Sequence, residues 1–129
     1  AGRQYSGEFI VDDTSLEISA LGGFPGPLIK WLLESVGPGG IYEICRLKGN
    51  CQATARAIIG YSHEGRIEFF QGSAKGRIVE PAGSTAFGWD PVFQPEGRDK
   101  TFAQMTRDEK QAVSHRGRAL AKLAAYLGV

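Results

Sequence analysis

Apolar and polar positions alternate early in the chain: Phe9-Ile10-Val11 is bounded by acids, and Leu16, Ile18 and Ala20 continue it at period two. The pattern predicts a strand that changes direction near Asp12-Asp13-Thr14, leaving the carboxylates at a strand break. Leu21-Gly-Gly-Phe-Pro-Gly-Pro27 is turn chemistry, and Pro27 suits the first position of a helix. From there Leu28, Trp31, Leu32 and Ser35/Val36 recur with a helical period until Gly37-Pro38 ends the run. A second helical stretch, roughly Gly39 to Lys48, has Ile41, Ile44, Cys45 and Leu47 on its apolar side. Gln52 to Tyr61 and Arg66 to Ala74 read as strands joined by the Ser62-His63-Glu64-Gly65 hairpin, and Arg77 to Glu80 as a further short strand. Pro81 to Arg98 is the longest irregular stretch, and a loop of that length in a small domain is usually functional. Thr106-Arg-Asp-Glu109 is a capping box. It opens a helix to about Leu127, with Val113, Leu120, Leu123, Ala124 and Leu127 as the buried stripe and Gly128 as the stop.

The 129 residues make a single domain, 1–129, without repeats or linkers. A net charge of +1 speaks against a nucleic-acid or membrane-surface partner, since either needs a basic excess. No apolar run approaches the ~18 residues of a membrane span, and the polar start Ala1-Gly-Arg-Gln-Tyr-Ser6 is not a signal peptide, so a cytoplasmic location is expected. Cys45 and Cys51 lack zinc-ligand spacing and read as reduced thiols. Glycine, with 18 residues, is about twice as frequent as the ~7% average, which points to backbone that bends sharply or approaches something closely.

Four constellations carry candidate chemistry. Asp12-Asp13 can hold a hard divalent cation such as Mg2+, which takes oxygen ligands and keeps several waters; a solvated turn is the other reading. Gly22-Gly23-Phe24-Pro25-Gly26-Pro27 precedes a helix bearing Lys30 and Trp31 in its first turn, where helix amides and a lysine attract anions. Neither a P-loop nor a dinucleotide fingerprint is present. In Ser84-Thr-Ala-Phe-Gly-Trp-Asp-Pro-Val-Phe93, Phe87 and Trp89 either stack on a flat base or plug the core, Asp90 and the loop amides can bond a base edge, and Phe93 reads as core. Ser114-His115-Arg116 falls in the middle of the last helix, with Lys110 about a turn earlier. His115 and Arg116 can donate to a purine carbonyl oxygen or be ordinary surface residues. Gly117 beside them costs about 1 kcal/mol against Ala in a helix, which implies a close approach there.

In this order the constellations resemble the inosine triphosphate pyrophosphatase family. The matching residues are Val11-Asp-Asp-Thr-Ser-Leu16, Ala20-Leu-Gly-Gly-Phe-Pro-Gly-Pro27, Ile29-Lys-Trp-Leu32, Gly76-Arg-Ile-Val-Glu-Pro81, Phe87-Gly-Trp-Asp-Pro-Val-Phe-Gln-Pro95, and Glu109-Lys110 leading to Ser114-His-Arg116. The resemblance covers about Phe9 to Gly128. It implies an α+β fold with a long, twisted mixed sheet, flanking helices and a nucleotide cleft between two lobes. It further implies hydrolysis of deaminated purine nucleoside triphosphates (ITP, dITP, XTP) to a monophosphate and pyrophosphate by Mg2+-assisted attack of water, with a homodimer or higher self-association. Asp13, with Asp12, would bind Mg2+ and help activate the water; Thr14 would lie beside the triphosphate and Lys30 would neutralise its charge. Phe87, Gly88, Trp89 and Asp90 would hold the base, and Lys110, His115 and Arg116 would complete recognition. Donors facing position 6 would accept a carbonyl oxygen and be left unpaired by the amine of adenine, at a cost of ~1–3 kcal/mol.

The chain departs from the family pattern in one respect. Members normally begin with a further segment that supplies a Thr-x-Asn-x-x-Lys phosphate loop and a metal-sharing glutamate, and the nearest string, Lys48-Gly-Asn-Cys-Gln-Ala53, lacks the leading Thr and the trailing Lys. The N-terminal part of the family fold is therefore expected to be absent, leaving a sheet edge unpaired and apolar surface uncovered. The alternative that follows is a catalytically impaired nucleotide-binding or self-associating protein derived from that family.

Overall fold

Alternating residues in three long runs build the frame. The computed structural model describes residues 8–83 and 88–128. Its strands are β1 (Glu8–Ile18), β2 (Pro25–Gly26), β3 (Gln52–His63), β4 (Arg66–Ile78) and β5 (Phe93–Pro95), and its helices are α1 (Ile29–Lys48), α2 (Arg107–Val113) and α3 (His115–Leu127). The sheet order is β2-β1-β3-β4-β5. The α+β class holds, whereas every pairing between these strands is antiparallel rather than mixed. The reason is connectivity: β3 and β4 are joined by a tight turn at Glu64-Gly65, both in left-handed backbone, and β1 reaches β3 through α1 without a parallel crossover.

Strand alternation gives the sheet two unlike faces. One carries Leu16 and Ile18 from β1, Ala53, Ala55, Ala57 and Ile59 from β3, and Ala74 and Ile78 from β4, all buried. The alanines leave room for helices to settle close to the sheet. Ile29, Ile41 and Cys45 of α1 join Phe93 and Phe102 over one part of this face, while Ala119 and Leu123 of α3 cover Ala57, Ile59 and Tyr61. Each buried Leu, Ile or Phe side chain contributes roughly 1.5–3 kcal/mol, and each alanine less. Burial also raises the Cys45 thiol pKa to about 11, so this cysteine behaves as a small apolar residue. The other face leaves Ile58, Ile67 and Phe69 exposed beside an Arg56–Glu17 ion pair of 2.9 Å.

Several sequence expectations change. Strand β1 runs unbroken through Asp12-Asp13-Thr14, which pair with Ile59, Ile58 and Ala57; acidic side chains do not interrupt a ladder made by backbone groups. Helix α1 begins after Leu28 and is kinked at Gly37, whose φ of 72° and ψ of 171° separate the two stretches that Gly37-Pro38 predicted. Its buried side is Ile29, Ile41 and Cys45 with Leu32 and Leu33, while Leu28, Trp31, Val36 and Leu47 are exposed. Strand β4 continues to Ile78, so Arg77 does not start a new element. The last helix is two helices that meet at Ser114.

Candidate functional site

The break at Ser114 builds one wall of the site. Thr106 and Glu109 cap α2 reciprocally: the Thr106 Oγ1 accepts from the Glu109 amide at 3.1 Å and the Thr106 amide donates to Glu109 Oε1 at 2.9 Å. Ser114 is extended (φ −80°, ψ 157°), and its Oγ accepts from the Gly117 amide at 2.9 Å, so it starts α3 as an N-cap. The elbow is tight. A Cβ at Gly117 would overlap the Gln111 carbonyl oxygen, and a Cβ on Gly72 of β4 would overlap the His115 carbonyl oxygen. Only glycines permit the α2–α3 elbow to close on itself and on the sheet.

Against this wall stand β1 and the segment before β5. Together they enclose a cavity of about 670 Å3 lined by Thr14, Gly88, Trp89, Asp90, Lys110, Ser114, His115 and Arg116, joined by Arg107, Gln111, Gly117 and Leu120. Most residues singled out in the sequence thus converge. The additional ones were legible only in part: Arg107 and Gln111 share one face of α2 with Lys110 by their three- and four-residue spacing.

His115 is the buried centre of the site. Its ring stacks on Phe102 (centroids 5.9 Å, 21°) and lies 5.4 Å from Trp89. Burial, and then the nearby charges of Lys110 and Arg116, pull its pKa down to about 4. The imidazole is therefore neutral at pH 7, with one nitrogen donating and one accepting, and its Nδ1 has no hydrogen-bond partner among the described residues. Two ion pairs flank the ring: Lys110 Nζ to Asp90 Oδ2 at 2.6 Å, and Arg116 to Asp12 Oδ2 at 2.9 Å. Lys110 Nζ also lies 5.5 Å from the centre of the Phe102 ring. Trp89, at 8% exposure, packs edge-on against Phe93 and belongs to the core while lining the cavity. Phe93 is core, as expected, and Phe87 lies outside the described residues.

Asp13 and Lys30 lie apart from this cavity. Asp12 and Thr14 share the helix-covered face of β1, so alternation directs Asp13 to the opposite face. A ligand touching both Thr14 and Asp13 would lie across the β1 edge, which between residues 8 and 15 has no strand partner besides β3 among the described residues. Asp12 and Asp13 project to opposite faces of β1, and Asp12 is paired with Arg116. Among the described residues no group of three or more His, Cys, Asp or Glu side chains is arranged to hold a metal ion. Lys30 is exposed at the start of α1, with Nζ 5.5 Å from the Trp31 ring centre.

The comparison with known families decides what this arrangement belongs to. Residues 1–126 match the Ham1 family. The chain belongs to the Ham1 family. This agrees with the inosine triphosphate pyrophosphatase family that the motifs resemble. Solved Ham1 structures share the fold. The Ham1 protein of Staphylococcus aureus is 29% identical, with a TM-score of 0.75 over 95% of this chain and 68% of its own. A HAM1 protein from Coxiella burnetii is 26% identical, with a TM-score of 0.82 over 94% of this chain and 67% of its own. A nucleoside-triphosphatase described as a dITP/XTP pyrophosphatase from Mycobacterium abscessus is 33% identical, with a TM-score of 0.70 over 92% of this chain and 67% of its own. This Ham1 chain thus spans about two-thirds of each. Among its described residues no helix is long and apolar enough to cross a membrane.

Proposed function

We propose that this chain is a nucleoside triphosphate pyrophosphatase that hydrolyses deaminated purine nucleotides, ITP, dITP or XTP, to a monophosphate and pyrophosphate. The observation that carries the reading is the neutral His115 beside Trp89 and Phe102, with the Lys110–Asp90 and Arg116–Asp12 pairs, at a cavity of about 670 Å3. The Mycobacterium abscessus relative, a dITP/XTP pyrophosphatase, supports the same substrate class. In this reading Trp89 and Gly88 line the base, and Asp90 bonds its edge with Lys110 fixing the carboxylate. His115 and Arg116 donate toward the carbonyl oxygen at position 6, and Phe87 completes the base side. Thr14 contacts the sugar–phosphate chain, and Asp13 orients the attacking water on the far side of the β1 edge.

A divalent ion, with Mg2+ the expectation, would neutralise the triphosphate and is commonly held by one or two carboxylates plus the substrate's own phosphates. The diverging carboxylates support Asp13 alone as the protein ligand, not the Asp12–Asp13 pair. Lys30 supplies positive charge near the phosphates only after leaving Trp31, and this role belongs to the proposal. Self-association is a further part of it: the open sheet face bearing Ile58, Ile67 and Phe69 is suited to a second copy. So is a cytoplasmic location.

The test is pyrophosphate release from ITP with Mg2+ by the chain and by Asp13→Asn. Release that falls to background in the variant supports the enzyme. Nucleotide binding without release by the unaltered chain would favour the impaired binding protein instead.

A further inference from the structure

The segment that carries Trp89 and Asp90 leaves the sheet after β4 and returns at β5, and its two arms are bonded into a neck. The Val79 amide donates to the Val92 carbonyl at 2.8 Å, and the Ala82 amide donates to the Pro91 carbonyl at 2.9 Å. A third piece of chain closes this neck from beneath. Thr101, only 1% exposed, donates its hydroxyl to the Ala82 carbonyl at 2.7 Å across nineteen residues. The Thr101 amide in turn donates to Gln104 Oε1 at 2.9 Å, which fixes the short 3-10 turn Phe102–Gln104. Gly83 crosses that turn so closely that an added Cβ would lie 2.8 Å from the Ala103 Cβ.

The residue after Thr101 is Phe102, the ring that supports His115 and packs against Trp89 and Phe93. One buried hydroxyl therefore joins the neck below Trp89 and Asp90 to the aromatic floor below His115. Neither Thr101 nor Ala82 lines the cavity. We propose that Thr101 is a positioning residue for the nucleotide site, setting where Trp89 and Asp90 stand relative to His115 and Lys110. The inference rests on the proposed function for its substrate. It predicts an effect on the base side of the site alone, because Asp13 lies on the other face of β1.

The experiment uses the full chain carrying Trp31→Phe, which leaves Trp89 as the one remaining tryptophan of the two. Thr101→Val leaves the Ala82 carbonyl unbonded. It should raise KM for ITP by about tenfold, with kcat within about twofold, and shift ligand-free Trp89 emission to the red. Thr101→Ser, which keeps the donor, should restore both. A Thr101→Val protein with a lowered thermal midpoint but unchanged KM and unchanged Trp89 emission would overturn the proposal. Should Thr101→Val not fold, Gly83→Ala strains the same neck from the other arm and should give the same pair of changes; unchanged readings there would also overturn it. If the unaltered chain fails to hydrolyse ITP, the enzymatic reading fails. Trp89 emission, and its quenching on titration with ITP, then decide on Thr101 separately.

Discussion

Gly117 and His115 show how much single residues constrain this site. Gly117 lies in the first turn of α3 with the Gln111 carbonyl where a side chain would begin. Because the obstacle is backbone, Gly117→Ala should destabilise the protein by about 1–3 kcal/mol, against the slight gain usual for Gly→Ala in a helix, as read by urea unfolding. His115 gives a pH signature. Its pKa falls from 6.5 to about 4 on folding, so the unfolded chain binds the proton first as pH drops. Stability attributable to this group is complete above pH 6.5 and declines as pH falls toward 4, by up to about 3 kcal/mol. His115→Gln should flatten the urea midpoint across that window, and an equally steep decline in the variant would contradict the assignment. At this scale the sequence was informative: Lys110, His115, Arg116, Asp90 and Thr14 all line one cavity. The cost of Gly117 likewise pointed to a close approach, and the neighbour proves to be the protein's own carbonyl.

Elements were less legible than residues, and the misses share a cause. Period-two and period-3.6 patterns report which residues face the core, not where the backbone turns. The last helix reads as continuous because its apolar stripe is, yet Ser114 ends α2 and caps α3. That break brings His115 and Arg116 to the cavity beside Lys110. Ser114→Ala removes the bond to the Gly117 amide. It should lower stability by about 1 kcal/mol, measured as a lower thermal midpoint, with a smaller loss in Ser114→Asn. The β1 error is of the opposite kind. Two acids suggested a break in a strand whose backbone continues, and the unbroken alternation is what separates Asp12 from Asp13.

For the whole molecule, one sheet face packs α1 and α3 and the other presents Ile58, Ile67 and Phe69 to the outside. The sequence led to the expectation of uncovered apolar surface without saying what meets it. Sedimentation equilibrium should report a dimer or larger assembly that Phe69→Lys shifts toward monomer; a monodisperse monomer at all concentrations would remove self-association from the proposal. The central claim concerns the cavity and its choice of base. Pyrophosphate release with Mg2+, compared for ITP and ATP at matched concentrations, tests it most directly. Neutral His115 and ion-paired Arg116 facing a carbonyl oxygen predict a kcat/KM for ITP at least about tenfold above that for ATP, abolished for both by Asp13→Asn. Equal rates with ITP and ATP, or release that persists in Asp13→Asn, would contradict the account.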